Sequence, residues 1–259
     1  MDIRVLGCHG SQLPGLNTTS FLLNGHLLID AGAVANVLNI EEQRRIDQVL
    51  VTHAHLDHIR DIAFLADNLC YGEQRHKPLT VRSTPFVLQM IHAHVFNGVI
   101  WPDFSILPSR EKPVIRFKAL VPGKTEWVGD LQIEAIKVDH TVETVGYVVR
   151  SAEGTVIFFG DTGVTEPLWE RANGVDDLRA IFIETSLPDG MKEMASQTGH
   201  LTPALLKEEL KKLCHPHPEV YLYHMKWDCH DVIREQIAVI GNHRIHFLKD
   251  GQRIRIDPC

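Results

Sequence analysis

The chain has 259 residues, 44% hydrophobic and 23% charged, which excludes disorder as its main state and gives enough length for one large α/β domain. Thirty-three acidic against 26 basic side chains leave a formal net charge of −7 with no long run of Lys or Arg, so a long nucleic acid is not an expected partner. No segment reaches the ~18 consecutive apolar residues of a membrane span, and Met1-Asp2-Ile3-Arg4-Val5 has no apolar leader, so a cytoplasmic location away from membranes is expected.

In chain order, residues 3–6, 19–23 and 27–30 read as short strands, the last two joined by a tight Asn24-Gly25 turn. Cys8 follows the first strand as a small apolar residue; with Cys70, Cys214, Cys229 and Cys259 it makes an odd, irregularly spaced set that is neither a disulfide framework nor a thiolate zinc knuckle. The short run 47–51 is a strand that leads directly into Thr52-His53-Ala54-His55-Leu56-Asp57-His58. Residues 59–68 and 85–96 fit helices around a strand at 80–82, and 97–109 is an irregular loop stiffened by Pro102. Strands then follow at 114–120, 131–138, 145–149 and 155–159, the last ending in Gly160-Asp161-Thr162-Gly163. A strand at 180–183, an amphipathic helix at 201–213, a strand at 220–223, a helix at 231–240 and closing strands at 245–247 and 253–256 complete the chain. His215-Pro216-His217-Pro218 reads as a solvated turn. Strand groups stand on both sides of a helical middle with no linker and no repeat, which predicts one domain over 1–259 made of two sheets with helices outside.

Sixteen histidines are an unusual load, and they are clustered. His53-x-His55-x-Asp57-His58 puts four metal-capable side chains within six residues after a strand, where a turn must gather them, because on a helix positions 53, 55 and 57 could not share a face. Burying so many ionisable groups without a cation would leave expensive unpaired charge. Two imidazoles suit one metal and the Asp-His pair a second; His140, Asp161 and His224, each just after a strand, supply the remaining ligands. The expected first metal is held by His53, His55 and His140, the second by Asp57, His58 and His224, with Asp161 shared. Imidazole-rich ligation favours two Zn²⁺ over Mn²⁺ or Fe²⁺. Two such cations activate a water between them and clamp charge developing on an attacked phosphorus.

The same motif resembles the signature of the metallo-β-lactamase superfamily, and with Leu56 before Asp57 it is similar to class II cyclic-nucleotide phosphodiesterases. The resemblance continues through Gly15 to Phe21, His94 to Asn97 with Ile100 to Phe104, Phe159 to Gly163, Glu184-Thr185-Ser186 and Gly199-His200-Leu201-Thr202. It implies an αββα four-layer sandwich. It also implies hydrolysis of 3′,5′-cyclic AMP or cyclic GMP to the nucleoside 5′-monophosphate, with a small cyclic nucleotide as partner; a homodimer is the expected assembly. His200 is then the candidate to protonate the leaving oxygen and Glu184 to orient it, as in related tRNA-processing hydrolases, with Asp57 counted beside them as catalytic. Asn97, Trp101 and Phe104 would form a wall for the purine, and Thr18 and Thr19 either bind phosphate or order their loop. Rival readings are a tRNA 3′-processing nuclease or a thioester or lactone hydrolase on the same fold, and a metal-stabilised binding protein without catalysis.

Overall fold

In the computed structural model, residues 1–71, 77–214, 218–242 and 244–257 are described, so most of the expected 215–218 turn lies outside them. The first half runs β1 (Asp2–Gly7), β2 (Ser20–Leu23), β3 (Leu27–Ile29), α1 (Ile40–Arg45), β4 (Gln48–Leu50), α2 (Leu56–Cys70), β5 (Leu79–Ser83), α3 (Pro85–His94) and β6 (Ile115–Ala119). The second half runs β7 (Thr125–Val128), β8 (Leu131–Val138), β9 (Thr144–Ser151), β10 (Gly154–Phe158), α4 (Pro167–Asn173), β11 (Leu178–Glu184), a 3₁₀ turn (Asp189–Met191), α5 (Lys192–Thr198), α6 (Pro203–Leu210), β12 (Glu219–Tyr223), α7 (His230–Ile240), β13 (Ile245–Phe247) and β14 (Arg253–Arg255).

The strands form two seven-stranded sheets, β14-β1-β2-β3-β4-β5-β6 and β13-β12-β11-β10-β9-β8-β7. Chain order and sheet order nearly coincide, except that β14 crosses back to pair with β1, Ile254 opposite Ile3. Both faces of most strands are apolar because both are covered. Val5, Phe21, Ile29, Tyr147, Phe158 and Phe182 fill the layer between the sheets. Val49, Val81, Ile62, Leu65 and Ile91 fill the layer under α2 and α3, and Ile157, Ile181, Trp169, Leu206 and Ile233 the layer under α4, α6 and α7. Three apolar layers between four layers of structure make the αββα sandwich, each buried Leu, Ile or Phe contributing about 1.5–3 kcal/mol of transfer energy.

Four elements escape the sequence pattern. Helix α1 buries only Gln43 and is set instead by an Asn39/Glu42 capping box; α4 and α5 are seven residues each, and β7 buries only Val128, so none of them carries a long periodicity. A correction also falls on α2, which starts before residue 59, at Leu56. The turn expected to gather the motif is therefore its N-terminus, with His55 at the cap and Asp57 and His58 in the first helical turn.

Strand direction places the site. β10, β11 and β12 are mutually parallel, and β8 runs the same way because it is antiparallel to β9, itself antiparallel to β10. Their C-terminal ends share one edge of the second sheet, and it is there that His140, Asp161, Glu184 and His224 follow or end their strands.

Candidate functional site

His53 and His55 leave β4 on the first sheet; His140, Asp161 and His224 come off the second, and the two groups meet at one rim of the sandwich. The ligand atoms of His53, His55 and His140 lie within 4.8 Å of one another, as do those of Asp57, His58 and His224. Asp161 joins them: its Oδ2 stands 3.3 Å from His58 Nε2, 3.3 Å from His224 Nε2 and 3.8 Å from His53 Nε2. His58 Nε2 and His224 Nε2 are 3.2 Å apart, and His140 Nε2 is 3.4 Å from His55 Nδ1. His224 adopts φ 65°, a left-handed conformation unusual for a side chain with a Cβ and of the strained kind that functional sites tolerate.

The protons on these rings follow from their outer partners. Thr52 gives its hydroxyl proton to Asp30 Oδ2 at 2.8 Å, so its oxygen accepts from His53 Nδ1 at 3.0 Å. His58 Nδ1 donates to Asp30 Oδ2 at 2.7 Å, and His140 Nδ1 to the Gly199 carbonyl at 2.8 Å. Ser186 donates to Glu184 Oε2 at 2.7 Å and so accepts from His224 Nδ1 at 3.0 Å. Four rings thus direct Nδ1 outward and Nε2 toward the others, the arrangement that outer hydrogen bonds impose on metal-binding histidines. Burial opposes charge on His58, yet Asp161 and Asp30 hold it above the usual histidine range, so it has to shed a proton to bind a cation. Gly199 permits one of these contacts: it sits at φ +66°, and a Cβ there would stand 2.9 Å from His140 Nδ1.

Asp30, Thr52 and Ser186 are the residues that sequence reasoning missed. Each is a small polar residue at the end of a strand or next to a motif histidine, and nothing in its spacing marks it.

Charge and burial give the fit to a cation. His53 Nε2 and Asp161 Oδ1 are buried and have no hydrogen-bond partner among the described residues, an expensive state unless a positive ion supplies the missing contact. Burial first, then neighbouring imidazoles, push His53 and His55 below the usual histidine range, and burial likewise lowers His140, so these rings are neutral and can donate lone pairs. Burial opposes charge on Asp161 and Asp57, yet the surrounding histidines hold Asp161 well below the carboxylate range and bring Asp57 down as well. The donor set fits divalent cations, which these histidines and carboxylates would hold.

His200 lies at the edge of this cluster, a ring nitrogen within 4.8 Å of Asp161 and His224 ligand atoms. Its Nδ1 donates to Glu184 Oε1 at 2.6 Å. Burial works against a charged ring here, but the Glu184 carboxylate outweighs it and His200 is raised above the usual range.

A family profile described as the β-lactamase superfamily domain matches residues 26–225. The chain belongs to the β-lactamase superfamily. Over 224 residues it is 25% identical to a protein of Yersinia pestis named probable 3′,5′-cyclic-nucleotide phosphodiesterase, covering 79% of this chain but only 62% of that one. It is 22% identical to Ribonuclease Z of Borrelia duttonii over 98% of this chain and 96% of that one. The crystal structure of unliganded yeast PDE1 superposes with a TM-score of 0.83 at 20% identity, covering 97% of this chain and 98% of that one, and that of the metallo-β-lactamase fold protein YhfI from Bacillus subtilis with a TM-score of 0.78 at 18% identity, covering 98% and 99%, which establishes the metallo-β-lactamase fold.

The expected purine wall does not take shape in this member of the β-lactamase superfamily. Phe104 is 3% exposed and packs in the layer under α2 and α3 with Phe96, so it has no face to offer a ligand. Trp101 packs edge-on against Phe64 and donates its indole N–H to the Ala63 carbonyl, docking the 97–109 loop onto α2. Asn97 spends its amide on Ala93, Val99 and Ile100 in its own turn. Thr18 is buried and donates to the Gly32 carbonyl at 2.9 Å, which orders its loop, whereas the buried Thr19 hydroxyl has no hydrogen-bond partner among the described residues.

Proposed function

We propose that this member of the β-lactamase superfamily is a metal-dependent phosphodiesterase that opens 3′,5′-cyclic nucleotides to nucleoside 5′-monophosphates. The observation that carries the reading is the convergence of three Nε2 atoms, those of His53, His58 and His224, on the carboxylate of Asp161, with His140 Nε2 grouped beside His53 and His55 and all four rings oriented by outer hydrogen bonds. His53, His55 and His140 would hold one cation, Asp57, His58 and His224 the other, and Asp161 both; the imidazole majority favours zinc. When bound, such a pair supplies Lewis acidity toward the phosphoryl oxygens and a nucleophile at neutral pH.

The chain's own residues do the rest. Glu184 fixes the His200 ring through Nδ1, leaving Nε2 to carry the proton that the leaving O3′ takes as its bond to phosphorus breaks. Ser186 ties Glu184 to His224, so the proton carrier and a metal ligand share one hydrogen-bonded frame. A net charge of −7 and the relatives named as cyclic-nucleotide phosphodiesterases favour a small substrate, acted on in the cytoplasm, whereas the Ribonuclease Z relative keeps a tRNA 3′-processing nuclease as the second reading.

The test is turnover by zinc-loaded protein of cyclic AMP, cyclic GMP, bis-p-nitrophenyl phosphate, a thioester and a precursor tRNA, each with and without chelator. Chelator-sensitive release of 5′-AMP or 5′-GMP is expected. Turnover confined to the thioester or the tRNA contradicts the proposal.

A further inference from the structure

With Trp101 docked onto α2 and Phe104 in the core, the substrate's base needs another platform, and the structure holds a candidate beside His200. A cavity of about 390 Å³ opens there, lined by Leu187, Met191, Met194, His200, Lys226 and Trp227. Its size is at the lower end of that of small-molecule sites, which are typically about 300–1,000 Å³.

The indole of Trp227 is 60% exposed, and among the described residues it stacks on no other aromatic ring. Its backbone is nonetheless pinned. Trp227 N meets Ser11 Oγ at 3.4 Å, Lys226 N donates to the Ser186 carbonyl at 3.1 Å, and Lys226 Nζ donates to the Gly10 carbonyl at 2.8 Å. An exposed ring on a fixed backbone, three residues after the ligand His224, is a platform whose position is set before any ligand arrives. Met194, half exposed, and Met191 face the same space, and thioethers pack adaptably against π surfaces. A second cavity of about 350 Å³ also reaches His200; Asp139, His140, Thr141 and Ser196 share its walls with Val164 and Leu205, so it is more polar than the first without being polar throughout. A heterocycle gains most from the first, more apolar cavity, and the sugar and phosphate from the polar side chains of the second.

We infer that the cavity over Trp227 is the base-binding subsite, with the heterocyclic base of the substrate or product stacked on the Trp227 indole against Met191 and Met194. The inference rests on the nucleotide reading above.

The experiment uses zinc-loaded protein with 5′-AMP and ribose 5-phosphate as probes of tryptophan fluorescence, and cyclic AMP as substrate. Saturable quenching by 5′-AMP at concentrations where ribose 5-phosphate has no effect is expected, with loss of that quenching in Trp227→Ala. The same variant should raise KM for cyclic AMP about tenfold, the scale of losing one aromatic stack, with kcat reduced less than threefold, and Trp227→Phe should restore KM. Because the side chain is exposed, its removal leaves the core packing in place. Quenching that persists in Trp227→Ala, or a KM within twofold of the parent's, overturns the inference. Base-dependent quenching lost in Trp227→Ala without cyclic AMP turnover by the parent would uphold the subsite and sink the phosphodiesterase reading. Turnover with no base-dependent quenching would do the reverse.

Discussion

At the scale of single residues, the site is a set of proton positions as much as a set of ligands. Asp30, Thr52, Ser186 and the Gly199 carbonyl each occupy an Nδ1, and their effect is to leave Nε2 bare where charge is wanted. Glu184 acts on His200 through the same kind of bond, with an electrostatic consequence. The carboxylate favours the protonated ring, so Glu184→Gln lowers the His200 pKa, and the proton needed by the leaving oxygen is lost at lower pH. The expected outcome is an alkaline limb of the kcat profile displaced toward acid in Glu184→Gln relative to the parent. Bound cations act on both proteins alike, so the displacement survives them. A limb that stays in place, or moves toward alkali, would separate Glu184 from the proton step.

Elements turn these residues into geometry. The N-terminus of α2 delivers Asp57 and His58 as one rigid turn, and Gly32 lets the strand-end loop pass against it: a Cβ on Gly32 would stand 2.0 Å from the Asp57 carbonyl and 2.7 Å from Thr18 Oγ1. Gly32→Ala is therefore expected to cost about 1–3 kcal/mol through overpacking and to push the first turn of α2 off its place. Thermal unfolding would show a lower Tm, and metal content per chain would fall as the Asp57, His58 and His224 group loosens. A variant with the parent's Tm and metal content would show that the turn is placed by something else. At this scale the sequence was also most informative. His53 to His58 could be read as metal ligands because four donors within six residues have few other uses, and His140, Asp161 and His224 because each follows a strand. Phe104 was misread for a physical reason: an apolar ring in a stiff loop looks the same in sequence whether it faces a ligand or the core, and only burial separates Phe104 from the exposed Trp227. The roles of Ser186 and Asp30 as hydrogen-bond partners of the histidines could not be read because they depend on strand ends far apart in the chain being neighbours in space.

For the whole molecule, two sheets stacked through one apolar layer make the rim where their strand ends meet both rigid and polar. Neither sheet alone carries either three-residue group, since His140 joins His53 and His55, and His224 joins Asp57 and His58, across the sandwich. Bound cations should tie the halves together, and a ligand that binds only the folded state at about a thousand times its Kd adds about 4 kcal/mol to stability, so chelation is expected to lower Tm and zinc to restore it. The most direct test is a titration of metal-free protein with zinc, with cyclic AMP hydrolysis read at each step. Activity that climbs to a plateau at two equivalents per chain is the predicted result; a plateau at one equivalent, or no hydrolysis at any loading, would contradict the paired-cation phosphodiesterase described above.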